Sequence, residues 1–99
     1  MAYFHMKLIP PRKTFPFDGT EVEMAAMARH ADYWRRQAAA RTMIVAGPVF
    51  DPAGAYGIVV ADVADEAAAK KLADDDPVIQ AKLGFSFETA PMPSLILRA

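Results

Sequence analysis

Hydrophobic and polar positions alternate with period two at the start of the chain. Phe4, Met6 and Leu8 fall on one side and Tyr3, His5, Lys7 and Ile9 on the other, which predicts a first strand over residues 3–9. Pro10-Pro11 end it. The stretch from Arg12 to Gly19 holds too much proline for regular structure and is expected to be a connecting loop carrying Phe15 and Phe17. Thr20 followed by Glu23 matches a capping box, in which each side chain satisfies a backbone N–H that the helix start leaves unpaired. A helix is therefore expected from there to about Ala40. Its three-and-four stripe of Met24, Met27, Ala31, Trp34 and Ala38 is expected to face the core, with Glu21, Arg29, Arg35 and Arg36 mostly elsewhere.

The run Thr42–Ala46 is short, apolar and β-branched. Gly47-Pro48 interrupts it before Val49-Phe50, and is expected to bend or bulge a second strand. Asp51 to Gly54 supply turn chemistry, and Tyr56 to Ala61 form a third apolar run, so the two strands read as a hairpin. Residues 65–73 form helices readily and carry acids early and lysines later, as the helix dipole favours; Pro77 stops them. A helical turn over 78–82 and a strand over 85–89 follow, and residues 94–98 are expected to add an edge strand. The order strand, helix, strand, strand, helix, strand folds into an α+β domain. It has the ferredoxin-like βαββαβ arrangement, a four-stranded antiparallel sheet with both helices on one face.

In the second and third strands both sides are apolar. Met43 and Val45 are expected to oppose Thr42, Ile44 and Ala46, and Tyr56, Ile58 and Val60 to oppose Gly57, Val59 and Ala61. One face lies under the helices and the other needs a cover. Burial is worth about 25 cal/mol per Å², so a face-to-face homodimer is the expected assembly.

Composition narrows the partners. Ninety-nine residues fit a single domain over residues 1–99, and 54% hydrophobic with 23% charged residues fits a folded chain with no membrane partner. A net charge of -1, with Lys and Arg dispersed, lacks the basic excess that nucleic acid binding uses. There is no cysteine, hence no thiolate nucleophile or zinc-thiolate site. No pair among the two histidines and scattered acids has ligand spacing, so no metal and no cofactor are expected. The first five residues show no basic region leading into an apolar run, which makes the cytoplasm the expected location.

Two residues stand out for chemistry. His30 lies at the flank of the helix stripe, at the edge of the core, where an imidazole suits a general base; the plainer role is packing or a backbone hydrogen bond. Asp76 precedes Pro77, which biases it away from helical geometry. It can cap the turn that follows, or its carboxylate can orient an imidazole, and the two roles are compatible. His30 is about 15 Å into its helix, so the segment after Pro77 would have to fold back to bring the pair together. Trp34 and Tyr56 are candidate platforms for an aromatic ligand, and Gly47-Pro48 a candidate site border, although core packing and a structural bend serve equally well.

His30 in the first helix, Ile44-Val45-Ala46-Gly47-Pro48, a glycine-containing third strand and Asp75-Asp76-Pro77-Val78, in that order, resemble the YCII-related proteins over about Glu23 to Met92. The resemblance implies a dimeric α+β barrel made from two ferredoxin-like sheets, with His30 and Asp76 as an active-site pair. It also implies cofactor-independent acid/base chemistry on a small cyclic or aromatic substrate. The activity associated with the family is dehydrochlorination of a chlorinated hydroxyquinol, and related barrels isomerise muconolactones or bind small aromatic compounds. A non-catalytic ligand-binding or dimerisation module is the alternative. Two features depart from the family pattern: the long Phe-Pro-Phe loop before the helix, and Met27 in place of an arginine three residues before His30.

Overall fold

The alternation that marks the first strand and the capping box that marks the first helix both appear in the three-dimensional structure, a computed structural model that describes residues 2–99. The elements are β1 (Ala2–Ile9), α1 (Glu21–Ala39), β2 (Met43–Val49), β3 (Tyr56–Val63), α2 (Glu66–Asp74), α3 (Pro77–Gln80) and β4 (Ser86–Met92). The four strands form one antiparallel sheet in the order β2-β3-β1-β4, the ferredoxin-like topology. Phe4, Met6 and Leu8 of β1 point under the helices with Val59, Ala61 and Val63 of β3. Tyr33, Trp34, Ala69 and Ala73 close over them from α1 and α2. No helix among the described residues is long and apolar enough to cross a membrane.

At the start of α1 the Thr20 hydroxyl accepts from the Glu23 amide and the Glu23 carboxylate accepts from the Thr20 amide, the reciprocal pair expected from the spacing. Glu23 also receives two hydrogen bonds of 2.7 Å from the Arg12 guanidinium, which ties the 10–19 loop to the helix. This buries Glu23 and rotates the packed face of α1 by one position. Glu23, Ala26, Tyr33 and Trp34 are buried, whereas Met24 and Ala38 are exposed. Of the expected stripe, Trp34 packs in the core and also borders a cleft, while Met27 and Ala31 are half-buried along its wall. An apolar stripe marks surface withheld from water, and here part of that surface is cavity wall rather than packed core.

Three other expectations change. The irregularity in β2 lies between Met43 and Val45, not at Gly47-Pro48. Met43 pairs with Ala61 and Val45 with Val60, so Ile44 is the inserted residue and Met43 and Val45 face opposite sides of the sheet. Pro48 stays within the ladder opposite Gly57, tolerated because β2 is an edge strand whose free side needs no donor. Residues 94–98 form no strand. Their register neighbour would be β4, which itself runs to Met92 through Pro91, a residue without an N–H.

The other sheet face presents Val45, Tyr56, Ile58 and Val60 from β2 and β3. β1 and β4 mix His5, Lys7, Ser86 and Glu88 into it. Val45 is exposed, and among the described residues no helix packs on this side.

Candidate functional site

The chain reverses direction between α2 and α3 because Asp76, extended ahead of Pro77, cannot continue the helix. Its side-chain Oδ1 accepts from the Val78 amide at 2.9 Å and caps α3, with Pro77 at the first helical position. Val78, fully buried, packs with Ala26 of α1. That contact folds α3 back onto the middle of α1 and removes the separation of about 15 Å that the helix positions alone imply.

As a result Asp76 lies against two side chains one turn apart on α1. Its Oδ2 is 2.6 Å from His30 Nδ1 and accepts from the Trp34 indole N–H at 2.7 Å. The aspartate is 0% exposed and the His30 side chain 17%. A carboxylate has only acceptors, so its third partner must donate: His30 carries a proton on Nδ1, and in the neutral ring that tautomer has its lone pair on Nε2. No partner for Nε2 occurs among the described residues. Capping and imidazole orientation therefore coexist in one side chain.

The sequence marks Trp34 as a core position and a candidate stacking platform. Its ring does pack edge-on to Tyr33 and Phe87, but its N–H completes the carboxylate's coordination. The available signal was the four-residue spacing of two ring N–H donors, which puts both on one helix face. Tyr33 contributes from the other side, donating its hydroxyl to the Leu72 carbonyl at 2.8 Å and fixing α1 against the last turn of α2. Burial, with Asp75 and Asp76 nearby, pushes the Tyr33 phenol up to about 12.

His30 and Trp34 border a cleft of about 390 Å³ between α1, the 10–19 loop and the β2–β3 end of the sheet. Tyr56, Gly47 and Pro48 line it from the sheet side, so the structure brings five of the six sequence-selected residues to one cavity and puts Asp76 directly behind them. The rest of the wall is apolar, with Met27, Leu8 and Phe85 prominent. Phe15, which the sequence did not single out, also lines the cleft and meets Phe85 edge-to-face at 5.1 Å. At the end of β2 Phe50, also on the cleft, lies 5.5 Å from Phe17 of the loop, and both are exposed. The loop that departs from the family pattern thus supplies a wall of this cavity.

Arg12 holds the loop in place. Besides Glu23 it bonds the Asp18 carboxylate at 2.9 Å and the Asp18 carbonyl at 3.0 Å. The Arg12 guanidinium and the Thr20 amide together hold the Glu23 carboxyl down to about 2. Asp18 is lowered as well, by Arg12 first and Thr14 second.

Chemically, a buried carboxylate fixes the tautomer of an imidazole whose second nitrogen is unengaged beside an apolar space. Such an arrangement can accept a proton from a molecule in the cleft and return it. No curated protein sequence matches the chain. The YCII-related domain profile matches residues 3–93, nearly the whole length, and the chain accordingly belongs to the YCII-related family.

Proposed function

We propose that this protein is a cofactor-independent enzyme that uses His30, oriented by Asp76, for general acid/base chemistry on a small cyclic or aromatic substrate. The observation that carries the reading is the 2.6 Å contact between His30 Nδ1 and a fully buried Asp76, with the opposite edge of the ring at an apolar cleft. A carboxylate needed only as a cap would be served by the Val78 amide alone. In an elimination, His30 Nε2 takes a proton from a ring carbon, the C–H electrons become the new double bond, and a leaving group such as chloride departs with its bonding pair. In an isomerisation the same proton returns to another carbon. Trp34 keeps the carboxylate from turning away, and Gly47 and Pro48 bound the space in which the ring sits.

The working unit in this reading is a homodimer closed through the open sheet face. Val45, Tyr56, Ile58 and Val60 supply its apolar centre. A stable monomer in sedimentation at micromolar concentration would remove this part of the proposal.

The experiment for the chemistry is turnover of a panel of chlorinated hydroxyquinols and small lactones, read by chloride release and absorbance, for wild type and His30→Ala. General acid/base groups contribute about 10²–10⁴-fold, so a fall of that size is expected with the fold unchanged. An unaltered rate refutes His30 as the base. If no compound turns over and the substitution changes only affinity, the protein is a ligand-binding module.

A further inference from the structure

α1 presents five side chains to the cleft. At 100° per residue His30 lies at one margin, Trp34 and Met27 next, then Ala31, and Arg35 at the other margin about 140° around and about 7.5 Å further along the axis. The space between the two nitrogen-bearing side chains is therefore walled by apolar groups. Among the described lining residues there is no carboxylate. Asp76, the acid bonded to His30, is sealed behind it.

Arg35 is engaged only weakly. Among the described residues its ion-pair partner is Asp32 at 2.9 Å, and both side chains are mostly exposed, at 75% and 64%. A pair so open to water contributes little and yields readily to a better-placed anion. The Lys7 ammonium, 4.4 Å from the centroid of the Tyr56 ring, belongs to the open face of the sheet and leaves Arg35 as the charged group at the cleft wall. The chain as a whole has a net charge of -1, yet the permanent charge among the described lining residues, that of Arg35, is positive. Apolar walls of low polarisability strengthen such a field.

We propose that the cleft takes a cyclic apolar molecule bearing one oxyanion, carboxylate or phenolate, which Arg35 receives at the mouth while the ring lies against Met27 and Trp34 within reach of His30. This rests on reading the cleft as the substrate site and names the substrate's class. The planar guanidinium fork suits a carboxylate bidentately and a phenolate through one N–H.

The test is calorimetric binding of benzoate, 4-nitrophenolate and the neutral benzamide to the full chain. Benzoate or 4-nitrophenolate should bind about tenfold or more tighter than benzamide, the span expected of a charge-assisted contact. Arg35→Gln should bring that oxyanion to near parity with benzamide while leaving benzamide unchanged, and Arg35→Lys should restore part of the preference. Whichever oxyanion depends more on Arg35 identifies the group. His30→Gln separates this proposal from the catalytic one: it should end turnover and keep the anion preference. Benzamide binding as tightly as both oxyanions, a preference that survives Arg35→Gln, or no binding of either oxyanion would each overturn the proposal.

Discussion

Replacing Asp76 by alanine distinguishes a simple helix cap from the three-way hub seen here. Loss of the bond to the Val78 amide costs about 1 kcal/mol, as for other helix caps. The same change strands the Trp34 indole N–H in a site closed to water, which costs about 1–3 kcal/mol. His30 is partly exposed, so loss of its bond adds about 1 kcal/mol. The expected total is about 3–5 kcal/mol, against about 1 kcal/mol for capping alone. In urea this should lower the unfolding midpoint by about 2 M, with far-UV dichroism and Trp34 fluorescence as coincident probes. Domains of this size have only about 5–15 kcal/mol in total, so Asp76→Asn is the companion variant. It keeps Oδ1 for Val78 but turns an NH₂ toward the indole N–H. Adding Trp34→Phe removes that clash and should recover part of the loss, a coupling that a cap alone would not produce. An Asp76→Ala protein within about 1 kcal/mol of wild type would refute the hub.

Acid and alkaline behaviour follow from two other groups. The Glu23 carboxyl is held below its ordinary 4.5, so its stabilisation is complete above that value and is lost as pH falls toward about 2. Glu23→Gln should remove this part of the acid transition, monitored by Trp34 fluorescence, and coincident acid curves for the two proteins would contradict the Arg12 clamp. The Tyr33 phenol is raised above its ordinary 10, so its contribution is complete below 10 and declines as pH rises through about 12. Tyr33→Phe should cost about 1 kcal/mol at neutral pH through the lost Leu72 bond and should flatten the alkaline limb of a stability profile. An unchanged alkaline limb would show that the phenol is not what titrates there.

Local rules carried most of the fold. The period-two run of β1, the Thr20–Glu23 box and the Asp76-Pro77 step each act over a few residues, through pleat, cap and proline sterics, and they appear where the sequence puts them. The His30 and Asp76 candidates were legible for the same reason, as residue types at suggestive local positions. Three things were not local. The rotation of the α1 face depends on Arg12 reaching Glu23 eleven residues away. The bulge at Ile44 depends on how β2 meets β3, and β-branched composition does not specify register. The convergence of His30, Trp34 and Asp76 depends on Val78 docking against Ala26, a contact between distant segments. Sequence by itself determined which elements form and which side chains are chemically able. Tertiary packing decided which of them meet, because burial rewards the contact between α3 and α1 whatever their separation along the chain.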